Sequence, residues 1–381
     1  MKKWLCVFFI ILTIVGCHSN NDDRSFVFTS QNIVTSDSLL TFTPPMKRGY
    51  LSFDSIVQSV RYLPLKTNDS TLIGRIDDIK MLNDTLFIAD YKTSQILVYN
   101  MKGDNIGLIH AVGAGPKEYK RICGFDIDSK NRLIYLLDGD LGRIHVYNTL
   151  LEFQRVIQLP YLFVDHLSLF GENMFFLDFG FREYRKDSSE SPNLVLYDFE
   201  KEKTVSEFFE FENDKMRYRI QDHIAFSSYD DKLYYWTTLG HTIYECGVHK
   251  LTQRIEYDLG DYETPSFIYL KGFNEAFSMM KEKGYAYIDR FYEFRDWYYA
   301  RISRRTSAAH YFYNKQTKEG FLDVSLLKMN DVSKVIYPNL FMLSDSVFCS
   351  NISPDQYLQI KSTDISINSD DNDVLVFYEL K

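Results

Sequence analysis

The sequence predicts an all-β fold: a six-bladed β-propeller of four-stranded antiparallel blades, closed by an N-terminal strand that pairs in the last blade. Two observations carry this. The 381 residues include 28 Tyr and 30 Phe but only 18 Gly and 9 Pro, a composition that suits pleated strands with packed faces and is far from disorder. The chain also repeats. Leu86-Phe87-Ile88-Ala89-Asp90 and Ile96-Leu97-Val98-Tyr99-Asn100 recur 48 residues on as Ile134-Tyr135-Leu136-Leu137-Asp138 and Ile144-His145-Val146-Tyr147-Asn148, and Asp78-Ile79 with Asp126-Ile127 obeys the same shift. Each unit reads as a strand and turn, a second strand ending in Asp, a third ending in Tyr-Asn, and a fourth running outward. Four-stranded units recurring every 40 to 55 residues or so are propeller blades.

Weaker copies follow. Phe176-Leu177-Asp178 with Val195-Leu196-Tyr197-Asp198 forms a third unit, enlarged by a polar loop over 182–193. Leu233-Tyr234-Tyr235-Trp236 with Thr242-Ile243-Tyr244 makes the fourth, and Trp297-Tyr298-Tyr299-Ala300 with His310-Tyr311-Phe312-Tyr313-Asn314 the fifth. Residues 340–343, 347–350 and 374–378 supply the sixth, which lacks a fourth strand of its own. The stretch Val60-Arg61-Tyr62-Leu63-Pro64-Leu65 has no partner in its own neighbourhood, so it completes the last blade and joins the two ends of the ring. Between blades four and five, 272–284 places Phe273, Phe277 and Met280 at helical spacing, which predicts a short amphipathic helix lying on the propeller's own apolar surface.

The N-terminus is an export signal: Lys2 and Lys3, an apolar run from Trp4 to Val15, then Gly16 and Cys17. The run is too short to span a bilayer, which takes about 20 apolar residues. Its end, Leu12-Thr13-Ile14-Val15-Gly16-Cys17, resembles the lipobox of bacterial lipoproteins. That resemblance implies acylation of Cys17 and cleavage before it, and several acyl chains hold a protein firmly at a membrane. The expected organisation is a signal peptide over 1–16, a lipidated Cys17 and tether over 17–50, and a propeller over 51–381. The acidic tether His18-Ser19-Asn20-Asn21-Asp22-Asp23 resembles, loosely, the surface-export signal of Bacteroidetes lipoproteins. The expected location is the cell envelope, at the outer membrane, facing the periplasm or the outside.

The combination of Ser59-Val60-Arg61-Tyr62-Leu63-Pro64-Leu65, Leu72-Ile73-Gly74, Val112-Gly113-Ala114-Gly115-Pro116-Lys117-Glu118-Tyr119 and Val374-Leu375-Val376-Phe377-Tyr378 resembles the six-bladed propeller lipoproteins of Bacteroides-type bacteria, relatives in blade pattern of the NHL-repeat propellers. The likeness runs over roughly residues 50–381 and implies a fold and an address. It carries no catalytic residues with it.

A formal charge of −9 argues against nucleic acid, whose phosphates demand a basic stripe. Cys6 leaves with the signal, so Cys123, Cys246 and Cys349 remain, widely spaced and best read as buried thiols. No nucleophile-elbow, zincin or P-loop pattern occurs, and no motif calls for a cofactor or metal. The Gly-rich 112–119 segment reads as a connection between blades. Residues 126–131 and 368–373 offer oxygen ligands without a full calcium pattern, and read as a hairpin turn and a solvated loop. Asp90, Asp138 and Asp178 end the second strands, where recurrence favours a structural role in fixing turns.

The histidines His110, His145, His166, His223, His241 and His310 are scattered; His223 and His241 flank the fourth unit and are candidates to face a common opening. The segment 285–305 interleaves aromatics with charge, and Arg290, Trp297 and Arg301 are its candidate ligand-binding residues, since aromatic faces and planar guanidinium groups recognise sugars and peptides. The reading that follows is a monomeric, membrane-anchored propeller that binds or scaffolds a peptide, a glycan or an envelope protein without catalysis. The alternative is a hydrolase or lyase acting on sugars or esters, its site on one propeller face.

Overall fold

The structure is a computed structural model that describes residues 32–45, 56–68, 71–180, 190–212, 224–305, 307–323, 339–361 and 367–381. Two strands, β1 (Ile33–Phe42) and β2 (Val57–Pro64), precede the first blade. Blade one is β3 (Asp78–Leu82), β4 (Thr85–Asp90), β5 (Gln95–Asn100) and β6 (Asn105–Ile109). Blade two is β7 (Gly124–Asp128), β8 (Leu133–Asp138), β9 (Arg143–Asn148) and β10 (Phe153–Gln158). Blade three is β11 (His166–Phe170), β12 (Met174–Asp178), β13 (Glu190–Asp198) and β14 (Lys203–Glu212). Blade four is β15 (Phe226–Tyr229), β16 (Lys232–Tyr235), β17 (Thr242–Cys246) and β18 (Leu251–Tyr257). Blade five is β19 (Ala286–Glu293), β20 (Trp297–Arg304), β21 (Ser307–Asn314) and β22 (Gly320–Asp323). Blade six takes β23 (Phe341–Met342), β24 (Val347–Ile352) and β25 (Val374–Leu380) from the C-terminus and β2 from the N-terminus, in the order β23-β24-β25-β2. The six antiparallel sheets stand in a ring, as the repeats predict.

The unbroken apolar runs of the second and third strands follow from blade packing. Successive side chains of a strand point to opposite faces, and both faces of a blade are covered. Leu86 and Ile88 join the cluster between blades six and one, while Phe87 and Ala89 join the one between blades one and two. Each of the six blade junctions has such a cluster. Burying a side chain of this size contributes about 1.5–3 kcal/mol, so the stability resides in the junctions. Cys123, Cys246 and Cys349 are buried thiols within these clusters.

The closing seam is as expected. Strand β2 pairs antiparallel along β25 from Val57↔Leu380 to Pro64↔Val374, and Leu63 and Leu65 fill the cluster against blade one. Beyond the strand, Lys66 N–H donates to the Gly103 carbonyl at 2.9 Å. Gly103 has φ +79°, and a Cβ there would lie 2.0 Å from the Pro64 carbonyl oxygen, so only glycine fits. Asn372, buried in the last blade, donates to the Thr71 carbonyl at 2.7 Å and accepts from Ile73 N–H at 2.9 Å.

Three details depart from the sequence reading. Residues 33–42, expected within the tether, form β1, a fifth strand running parallel along β18 on the outer edge of blade four. Phe42 explains the docking: it is buried and stacks on Tyr313, with ring centres 4.3 Å apart. The inserted helix α1 (Phe273–Lys283) is present and buries Met280 as expected, with Ala276, against Leu239, Ile268 and Tyr269, but Phe277 is exposed; the Phe273 side chain lies outside the described ones. Finally, the 48-residue shift holds for the second and third strands of blades one and two but not for the inner ones. Blade one turns over two residues, from Leu82 to Thr85, and blade two over four, from Asp128 to Leu133. Asp126 therefore stands level with Lys80, not with Asp78.

The seam generates a prediction. Deleting residues 57–66 from the full chain should abolish the single cooperative thermal transition, and Leu63→Ala should cost about 2–5 kcal/mol in denaturant unfolding. A deletion variant that melts like the parent refutes closure through β2.

Candidate functional site

The inner strands of all six blades enclose an axial cavity of about 920 Å³. It runs from Asp77, Cys123 and His166, at the start of the inner strands, to Ser129, Asp230 and Asp345 beyond their far ends. The blade junctions are apolar, but the axis is polar, because inner strands present their edges and some charged side chains to it.

Lys80 and Asp126 form the central ion pair, Nζ to Oδ1 at 3.0 Å, across the junction of blades one and two. The other oxygen of Asp126 accepts from Ser168 Oγ at 3.2 Å and from Leu169 N–H at 2.8 Å, which ties in blade three. Burial opposes the Lys80 charge, yet Asp126 and Asp78 more than offset it and hold its pKa above the ordinary lysine value. Desolvation pushes the Asp78 carboxyl above the usual range, against the pull of Lys80 and Arg290. At the mouth, Arg121 pairs with Asp140 at 3.0 Å.

The recurrent carboxylates of the second strands divide into two kinds. Asp90 accepts from the backbone N–H groups of Gly74, Lys92 and Thr93, and Asp138 from those of Lys120 and Leu141. These two pin turns, the structural role expected. Asp178 has side-chain partners instead. Its Oδ2 lies 3.0 Å from His166 Nδ1, and its Oδ1 accepts from Tyr235 OH at 2.9 Å and Asn193 Nδ2 at 3.0 Å. A carboxylate held this way orients an imidazole on the cavity wall, the geometry a general base uses. Strand registers put Asp77, Cys123 and His166 on the same rung, one from each of blades one to three.

The candidate residues from the sequence lie apart. Arg290 is in the cavity wall. Its neighbour Asp289 pairs with Arg301 at 3.2 Å, and Arg301 also bonds Asn339. Trp297 is core: its indole N–H donates to the Lys381 carbonyl at 3.1 Å between blades five and six. His241, half-buried, has its Nε2 3.4 Å from Glu263 and does not line the cavity. Cys17 and His223 lie outside the described residues. In the Gly-rich 112–119 segment, the Glu118 carboxylate itself accepts from Gly115 N–H at 2.7 Å, so the turn holds its own anion. Asp128 caps the 129–131 turn, with Asn131 N–H at 2.8 Å. Among the described residues no group of three or more His, Cys, Asp or Glu is placed to hold a metal ion. Sequence reasoning passed over Lys80, Asp126, His166 and Asp178 as a group; the one signal is charge on the short inner strands at Lys80, Asp126 and His166, while Asp178 ends a second strand like Asp90 and Asp138.

The sequence profile of DUF4934, a domain of unknown function, matches residues 40–379. In structure the chain resembles a Bacteroides fragilis protein whose name assigns it, provisionally, to export, with TM-score 0.76 and 18% identity over 90% of this chain and 99% of that one. It also resembles a member of the DUF4221 family from Bacteroides vulgatus, with TM-score 0.52 and 11% identity over 85% and 97% of the two chains. At such identities the likeness establishes the fold. No curated protein matches the chain.

The central ion pair makes a pH-dependent prediction. Lys80→Met should cost about 2 kcal/mol at pH 7, below the 3–5 kcal/mol of a fully buried pair because a third of the Lys80 side chain reaches water. Asp78 already binds its proton more tightly folded than unfolded, and losing Lys80 strengthens this, so the folded state gains protons and stability as pH falls. The deficit should shrink between pH 7 and 4 in denaturant titrations; a constant deficit contradicts the ion-pair role.

Proposed function

This chain belongs to the DUF4934 family, and we propose that it is an exported, lipid-anchored propeller of the cell envelope that binds a glycan or peptide segment in its axial cavity. The cavity carries this reading. Its 920 Å³ lies within the several-hundred-to-thousand Å³ range of small-ligand sites, and it combines aromatic faces with a few convergent charged groups. Export is supported by the Lys2-Lys3 flank and the apolar run, and by the name of the B. fragilis protein of like fold; anchoring is supported by Cys17 at the end of that run. A whole envelope protein is too large to enter the cavity, so such a partner would present a segment.

The pairing of His166 with Asp178 favours a second reading, a hydrolase acting on sugars or esters at the cavity mouth. In that case chromogenic ester or glycoside turnover is lost in His166→Ala while ligand retention survives.

Two measurements test the main reading. On detergent-phase partitioning, the parent should enter the detergent phase and Cys17→Ala the aqueous phase; identical partitioning removes the anchor. The full chain, equilibrated with oligosaccharides and peptides from native envelopes, should retain a defined ligand by mass spectrometry. Ser228→Trp, which plugs the cavity from an exposed wall position, should retain none, and equal retention by this variant places binding elsewhere.

A further inference from the structure

We propose that Arg290 is the anion receptor of the axial cavity and binds a ligand carboxylate. This rests on the cavity reading and names the chemistry the cavity selects. Arg290 is 2% exposed and permanently charged. Its Nη1 donates to the Leu340 carbonyl at 2.7 Å, and the guanidinium lies 4.9 Å from the Phe341 ring centre. Nε is buried and has no acceptor, and no carboxylate among the described residues lies within ion-pair distance. The other cations set into the wall are paired: Arg75 with Asp77, Lys80 with Asp126, and Arg121 with Asp140. Lys92 is exposed. Asp289 and Asp78 act on Arg290 only through space: neither is within ion-pair distance of it, and Asp289 Oδ2 is engaged by Arg301 and Ser303.

A buried guanidinium with no carboxylate in contact is costly, and proteins normally pair it directly. The backbone at this point is also special. In blades one, two, three, four and six the register shift falls between the third and outer strands. In blade five it falls in the innermost pair, between Ile288 and Arg290, with Asp289 as the extra residue. A bulge re-aims the side chains beside it, and here it sits at the cavity wall. Charge selects the anion. Asp78 and Asp126 share the cavity with Arg290, so a phosphate dianion meets about twice the repulsion that a monovalent carboxylate does. Such a carboxylate occurs on an acidic sugar or at a peptide end.

The test is calorimetric titration of the full chain with four probes: glucuronate, glucose, N-acetylalanine and N-acetylalaninamide. The parent should bind at least one carboxylate about tenfold or more tighter than its neutral counterpart, the range of a charge-assisted hydrogen bond; which pair discriminates identifies the source. Arg290→Gln should erase that preference and melt at or above the parent temperature, since a buried charge with no contacting carboxylate is removed. Arg290→Lys should restore part of the preference. Equal binding of charged and neutral probes, preference retained in Arg290→Gln, or no binding of any probe overturns the assignment. Neutral binding abolished by Ser228→Trp without carboxylate preference keeps the cavity and rejects Arg290; binding indifferent to Ser228→Trp rejects the cavity itself.

Discussion

The seam between β2 and β25 is the constraint on which the ring depends. Each blade buries its two faces only against its neighbours, so an open array would expose an apolar face at each end. Pairing a strand from one end of the chain with the last blade makes the terminal junction like the others and adds loop closure over almost the whole chain. Gly103 then locks blade one onto that strand through a backbone contact that a side chain would obstruct, and the Asn372 amide ties the segment before blade one to blade six. The axial cavity is a consequence, because inner strands can line a common space only when the ring holds them at fixed separations.

Apolar junctions and a charged axis divide the work. The junctions supply burial, and few of their positions tolerate polarity. The axis carries groups that would be prohibitive in a junction, and it satisfies them across blades: Asp126 takes donors from blades one and three. Such bonds also register neighbouring inner strands against one another.

The chemistry gathers where the repeat breaks. Asp90 and Asp138 keep the repeat's turn-fixing role, whereas Asp178 exchanges backbone donors for His166, Tyr235 and Asn193. The longer inner hairpin of blade two brings Asp126 level with Lys80. Blade five moves its register shift from the outer pair of strands to the inner pair, next to Arg290. At Asp126 and Arg290 a local change in an otherwise periodic chain places one side chain at the axis.

The sequence by itself determined the blades, because strand periodicity and 48-residue recurrence are local properties repeated along the chain, and it determined closure, because one orphan strand matched one incomplete blade. It also marked Arg290 within a charged, aromatic segment. Tertiary structure alone decided which charges meet. Lys80 and Asp126 lie 46 residues apart in the sequence, and their contact depends on a two-residue difference in turn length that the 48-residue alignment concealed. Residues 33–42 carry polar positions typical of a tether, and only the edge of blade four and the pocket for Phe42 turn them into a strand. Trp297 and Arg290 look alike as binding candidates in one dimension. The ring sends the indole into a junction and the guanidinium to the axis, because successive side chains of a blade face different neighbours, and only closure fixes what those neighbours are.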